Sequence, residues 1–266
     1  YETAIEHAKA ALEQHENSGF YVLHAIASRE LHERRAAKLL LERAIELNPN
    51  DSLAYSLLAV VCSELGQSEQ AQAMLVQAKA TMHLPENLTF RRYPSLTLRN
   101  CGIALLSENR PLDAVEEFNA ARLWDPRDEG LIRELAEAEL RANLADLALG
   151  RLEELAADNK TSGSDAALMA LLGRAYMQIG NVAAAEKILK SALELEPENM
   201  QYRLQLTDLF MKTGRVDIAE STLRSSLSKL VGGKESSQSR LWMGQVYTQL
   251  GDIGLAIGHR ARFGSA

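Results

Sequence analysis

Small and apolar residues recur along this chain with helical spacing and over a long period. Starting from Gly173, a tyrosine stands three residues on, a glycine seven, alanines twelve and nineteen, a leucine sixteen and a proline twenty-four. Steps of three and four residues keep these positions on one face of a helix. The pattern therefore predicts two amphipathic helices that are separated by a glycine turn and followed by a proline stop.

The same pattern begins at seven places in the chain. The starting residues are Ala25, Ala59, Gly102, Ala136, Gly173, Thr207 and Gly244, and an alanine follows twelve residues after each of them. Successive starts are 34, 43, 34, 37, 34 and 37 residues apart, which indicates a 34-residue unit with nine residues inserted once and three inserted twice. A fixed period of this length is typical of stacked helical repeats.

Turn residues define the ends of the predicted helices. Glycines fall where first helices should end, as left-handed caps do, and prolines fall where second helices should end. The caps are Gly66, Gly180, Gly214 and Gly251, and the stops are Pro49, Pro126 and Pro197. The predicted hairpins are 18–51, 52–85, 95–128, 129–162, 166–199, 200–233 and 237–266, after a leading second helix at 1–17.

A glycine inside a helix costs about 1 kcal/mol relative to alanine. Gly102, Gly173 and Gly244 therefore need a compensating interaction, which the close approach of the paired helix would supply. We expect the alanine twelve residues on to be the contact, so that Gly173 meets Ala185.

The 34-residue period and its order of small, aromatic, Ala, Phe or Leu, Ala and Pro resemble the tetratricopeptide repeat. The resemblance covers nearly the whole chain. It implies an all-α fold, an α-solenoid (superhelix) of about seven antiparallel hairpins that forms a single domain over residues 1–266. Because the first and last repeats are incomplete, we expect the natural protein to be longer.

Composition supports helices and excludes several functions. The chain has 46% hydrophobic but only 5% aromatic residues, and its net charge of −7 argues against nucleic acid as a partner. It contains no apolar run long enough to span a membrane. Its two cysteines are too few for a disulfide framework and lack metal-site spacing.

No cofactor, metal site or catalytic residue is predicted, so the chain is not expected to be an enzyme. The histidines of the first repeats, His7, His15, His24 and His32, are eight, nine and eight residues apart. A metal-binding pair on one helix face needs a spacing of three or four.

The resemblance implies that first helices line a concave groove in which a protein or peptide is held. The matching positions lie three before and one after each starting residue, and they share a helix face. They predict a partner-binding set of Arg99, Arg133, Glu137, Arg174 and Asp208. Arginine binds carboxylates and carbonyls in oriented pairs, so an extended acidic peptide would suit this groove. Ordinary solvated arginines are the alternative.

Toward the N-terminus these positions hold apolar or small residues, Val22 with Ile26 and Ser56 with Val60. Members of the family that bind chaperone tails have a lysine and asparagine clamp there. A chaperone-tail adaptor is therefore not expected.

The nine-residue insertion is a second candidate contact site. It contains Phe90, Arg91, Arg92 and Tyr93 on what is expected to be a loop. The alternative is that Phe90 and Tyr93 cover the hydrophobic edge between hairpins.

These observations predict a non-catalytic protein-interaction scaffold, with repeats similar to those of bacterial multi-repeat proteins. The alternative is a periplasmic or substrate-selecting region of a larger exopolysaccharide-secretion protein or glycosyltransferase. Incomplete end repeats would leave apolar surface exposed, so weak self-association is also expected. The identity of the partner and the compartment, cytoplasm or periplasm, stay open.

Overall fold

The computed structural model describes residues 1–82, 92–158, 165–232, 242 and 244–251, and every regular element among them is a helix. The helices are α1 (Glu2–Gln14), α2 (Ser18–Glu30), α3 (Arg34–Leu47), α4 (Ser52–Glu64), α5 (Ser68–Thr81), α6 (Arg92–Ser107), α7 (Pro111–Trp124), α8 (Glu129–Arg141), α9 (Ala145–Asp158), α10 (Ala166–Gln178), α11 (Val182–Leu195), α12 (Met200–Lys212) and α13 (Val216–Gly232). A further helical stretch covers 244–251. The predicted all-α class, with about seven helical hairpins, is confirmed.

Contacts divide the chain into two compact units, Tyr1–Leu144 and Ala145–Ala266. In the first unit α2 packs against α3, α4 against α5 and α6 against α7. In the second unit α10 packs against α11 and α12 against α13. None of the described helices is both long enough and apolar enough to cross a membrane.

Capping side chains explain where first helices begin. Asn or Asp accepts hydrogen bonds from backbone N–H groups of the first turn in five of them, which satisfies donors that have no partner within the helix. These caps are Asn17, Asp51, Asp128, Asp165 and Asn199. Second helices end just before the prolines, since α3, α7 and α11 stop at Leu47, Trp124 and Leu195.

The turn between paired helices uses a left-handed residue seven positions after each starting residue. Gly66, Gly180 and Gly214 adopt φ of 73°, 84° and 75°, which confirms three of the predicted caps. Gly251 is the last described residue of its helix. The equivalent residues in other hairpins are not glycine: His32, Asn109 and Asn143 have φ of 63°, 57° and 59°. In each turn the next residue donates its N–H to a carbonyl five residues back, as from Glu33 to Ser28 at 2.9 Å.

Replacing His32 by glycine is expected to raise the free energy of unfolding by about 0.5 kcal/mol, because a β-carbon is disfavoured at positive φ. Urea denaturation followed by circular dichroism would measure the change. As a control, Gly66→Ala introduces the same strain and should lower stability by about 1 kcal/mol. A less stable His32→Gly variant would contradict this account.

Close helix approach is confirmed at Gly102 and Gly173, where the side chain nearest to an added β-carbon is not the expected alanine; the predicted partner of Gly244 lies outside the described residues. A β-carbon added to Gly102 would lie 2.6 Å from the ring of Phe118, and one added to Gly173 would lie 2.6 Å from Leu189. These partners stand sixteen residues after the glycine rather than twelve. Ala185, the expected contact, is fully buried. The glycine therefore makes room for the large side chain of the second helix.

The hairpins on either side of the insertion pack in an unusual way within the first unit. α6 lies along α4, whereas α5 touches α6 only sparsely. Polar contacts join the two first helices: Ser52 Oγ is 3.2 Å from Thr97 Oγ1, and Asn100 donates to Ser56 Oγ at 3.2 Å. As a result α4 is buried on almost every side.

Candidate functional site

Two of the predicted groove residues of the first unit lie on α8. Arg133 and Glu137 each keep about a quarter of the side chain exposed, at 25% and 23%. The guanidinium of Arg133 is 3.6 Å from Glu129, and Glu137 accepts from Arg141 at 2.9 Å. Both pairs join residues four apart on the same helix, and exposed pairs of this kind contribute only about 0.3–0.5 kcal/mol.

In the second unit, Arg174 lies on α10 and Asp208 on α12, both partly exposed. Asp208 accepts from Lys212 at 2.9 Å, again within one helix. Arg133, Glu137 and Asp208 thus each form an ion pair with a residue four positions away on the same helix.

Arg99 has a different environment, because its guanidinium bridges α6 and α8. It donates to Glu134 at 2.6 and 2.8 Å and to Asp128 at 3.2 Å. The hydrogen bonds with Glu134 raise the pKa of Arg99, despite opposing desolvation. Gly130 leaves space for this side chain, since a β-carbon there would lie 2.9 Å from Arg99 Nη2. The Arg99 guanidinium is therefore already engaged by the next hairpin.

Three positions that were expected to face the groove are instead buried. Ser56 and Val60 are 0% and 1% exposed, because α6 covers this side of α4. Val22 is also buried, at 5%. The expected apolar N-terminal part of the groove was therefore wrong at these residues, which are core.

The insertion differs in part from the expected loop. α6 begins at Arg92, so Arg92 and Tyr93 belong to its first turn rather than to a loop. Phe90 and Arg91 lie outside the described residues.

The cysteine and histidine side chains that could be reactive or bind a metal have the environments of structural residues. Burial raises the pKa of the Cys62 thiol and raises that of Cys101 to about 12, so both are neutral and unreactive near neutral pH. Burial lowers the pKa of His24. Over the ranges that the structure describes, no group of three His, Cys, Asp or Glu side chains is placed to hold a metal ion.

Sequence reasoning missed a set of ion pairs between hairpins. Arg29 donates to Glu64 at 2.6 Å, and Arg99 to Glu134 at 2.6 Å, in both cases 35 residues apart. The sequence signal that could have predicted these ion pairs is the 35-residue separation of opposite charges, which is one repeat plus one residue. In the second unit, Arg215 and Lys190 lower the pKa of Glu186 to about 2, with the hydrogen bond from Arg215 as the largest cause.

Sequence profiles of the tetratricopeptide repeat match residues 40–73, 133–199 and 180–230. Comparison with curated protein sequences gives no match.

Several solved structures have a similar fold. The Cut9–Hcn1 hetero-tetramer of APC/C is 16% identical with a TM-score of 0.66, over 92% of this chain and 45% of that one. PilW, a widely conserved type IV pilus biogenesis factor, is 19% identical with a TM-score of 0.63, over 84% of this chain and 98% of that one. YrrB, a tetratricopeptide repeat protein with an unusual peptide-binding site, is 18% identical with a TM-score of 0.50, over 75% of this chain and 97% of that one. At these identities the similarity establishes the fold alone.

Proposed function

The chain is a multi-repeat tetratricopeptide repeat protein, and from that premise we propose that it is a non-catalytic scaffold that holds a partner protein or peptide in the concave groove of its first helices. A fold of this kind does not specify a function, so the proposal depends on the side chains that the first helices carry.

The observation that carries the proposal is the mixed surface of α8. Leu131, Leu135 and Ala138 are fully buried and hold the helix rigidly in place. On the same helix Arg133 and Glu137 keep part of each side chain accessible. Rigid helices that carry accessible charged groups fit a binding surface better than loops do, because little conformational entropy is lost on binding.

The charges favour an extended partner with both carboxylate or carbonyl and amino groups. Arg133 and Arg174 would bind acceptors, whereas Glu137 and Asp208 would bind donors. Each residue would form a charge-assisted hydrogen bond with the partner, and a bond of this kind contributes about 1.5–3 kcal/mol. The peptide-binding site named for YrrB, a protein of similar fold, supports a peptide as the ligand class. Arg99 contributes to the scaffold rather than to the partner in this proposal.

Selection of a displayed random-peptide library against the whole chain would supply a ligand. The double variant Arg133→Gln/Arg174→Gln is then expected to bind the selected peptide about tenfold more weakly or worse, measured by fluorescence anisotropy. Photo-crosslinking residues placed at positions 137 and 208 should label the same peptide.

Arg224→Gln is the matched control, because Arg224 lies on second helix α13 with 69% of its side chain exposed. Its affinity should be unchanged. A crosslinking residue at position 123, on second helix α7 and 84% exposed, should not label the peptide. Unchanged affinity of the double variant would refute the groove assignment.

A further inference from the structure

First helix α12 carries an arginine at a position where the five first helices before it carry an apolar side chain. The position lies four residues before each starting residue. It holds Tyr21, Tyr55, Leu98, Ile132, Met169, Arg203 in α12 and, before Gly244, Arg240, which lies outside the described residues. Four of these residues, Tyr21, Tyr55, Leu98 and Met169, pack in or against hydrophobic core clusters. Arg203 therefore replaces a packing residue with a charged one.

The second helix α13 carries small hydroxyl side chains near Arg203. On α13 the side chains that line this region are Ser221, Thr222, Ser225 and Ser226. The position of Thr222 in its hairpin holds Leu40 and Met74, which pack against core clusters, and also Glu117, Arg151 and Ile188. Small hydroxyl side chains leave open space, and a cavity of about 350 Å³ lies between Leu193, Arg203 and the α13 hydroxyls.

Among the residues that the structure describes, little compensates the charge of Arg203. Its side chain is 12% exposed, and its nearest carboxylate oxygen, in Glu198, is 4.0 Å away on a side chain that is 77% exposed. Its one hydrogen bond with a described residue runs from Nη2 to the carbonyl of Pro197. A guanidinium has five N–H donors. The Arg99 side chain is more exposed, at 25%, and yet it has two carboxylates within 3.2 Å.

The hydroxyl groups differ in what they can offer to a ligand. Thr222 donates to the carbonyl of Ile218 and Ser226 to that of Thr222, both at 2.8 Å. The Ser225 hydroxyl makes no hydrogen bond with any described residue and is exposed. It is therefore the hydroxyl best able to donate to a group in the cavity.

We propose that the cavity between α11, α12 and α13 binds an oxyanion, a carboxylate or a phosphate group, through the guanidinium of Arg203 and the hydroxyl of Ser225. An oxyanion supplies the acceptors that Arg203 lacks, and arginine pairs with both groups through two parallel N–H bonds. The site lies between α12 and the second helices α11 and α13 of the second unit, and it does not depend on the proposed partner groove.

The test is a titration of the whole chain with sodium phosphate and, separately, sodium acetate at constant ionic strength, monitored by NMR of the arginine Nε–Hε groups. We expect a saturable shift of the Arg203 signal with at least one of the two anions. The anion that saturates at the lower concentration identifies the ligand group. The Arg224 signal, from an exposed arginine on the same unit, should change only linearly.

Two variants make the result decisive. Arg203→Met introduces the residue found at the matching position of α10. It should abolish saturable anion binding, which the NMR signal of the Ser225 backbone amide would report for this variant. Ser225→Asp places a carboxylate beside Arg203, so it should weaken added-anion binding about tenfold or more. The proposal is overturned if neither anion saturates in the wild-type chain, or if both variants bind as the wild type does.

Discussion

Phe118→Ala is expected to lower the free energy of unfolding by about 3–5 kcal/mol, the range for removing a fully buried aromatic side chain. Phe118 is 0% exposed and lies in the core cluster that joins α4, α5, α6, α7 and α8. Its ring lies over Gly102, where a β-carbon would be only 2.6 Å away. Loss of the ring would leave a cavity where the paired helices come closest, and neighbouring backbone cannot easily collapse into it.

Urea denaturation with tryptophan fluorescence would measure this loss. The chain has two tryptophans, and Trp124 packs against the same cluster as Phe118. A Trp242→Phe background would leave Trp124 as the sole reporter of the first unit. Leu123→Ala is the control on the same helix, since Leu123 is 84% exposed, and its effect should stay within about 0.5 kcal/mol. A loss below about 1 kcal/mol for Phe118→Ala would show that this core is not assembled as described.

Gly173→Ala is expected to destabilise the second unit by about 1–3 kcal/mol, although alanine is the better helix former. The added methyl group would lie 2.6 Å from two carbons of Leu189, a side chain that is 0% exposed and cannot move aside. Overpacking should therefore outweigh the propensity gain of about 1 kcal/mol.

Two further variants separate the contact from helix propensity. In a Leu189→Ala background the obstructing carbons are gone, so Gly173→Ala should become neutral or stabilising. Gly150→Ala is the matched control within α9, because a β-carbon at Gly150 meets nothing within 4 Å. It should raise stability by about 0.5–1 kcal/mol. Thermal unfolding of Gly173→Ala, Leu189→Ala, the double variant and Gly150→Ala would measure these effects. Similar changes in stability for Gly150→Ala and Gly173→Ala would contradict the close approach of the helices at Gly173.

The recurrence of small residues and turns was enough to predict the hairpins. First helices α4, α8 and α12 begin within one residue of the predicted hairpin starts, since the caps and prolines are local signals. The insertion was the exception: α6 begins at Arg92, ahead of the predicted residue 95, and two residues expected in a loop are helical. A loop without periodicity carries no signal for where the next helix starts.

The candidate site was less accessible to sequence reasoning. Periodicity correctly put Arg99, Arg133 and Glu137 on first helices, but it could not show that Arg99 would be engaged by Glu134. Arg203 was not singled out at all, because an arginine on an amphipathic helix is ordinary until its burial and its neighbours are known.

The sequence by itself determined the helices, their pairing in hairpins and their left-handed turns, because these depend on interactions within about 34 residues of chain. Only the tertiary structure decided which side chain fills the space beside each glycine, that α6 covers Ser56 and Val60, and that Arg203 lies beside a cavity. The physical reason is that helical spacing specifies which residues share a face. What that face meets depends on how successive hairpins pack, and a single insertion changes that packing.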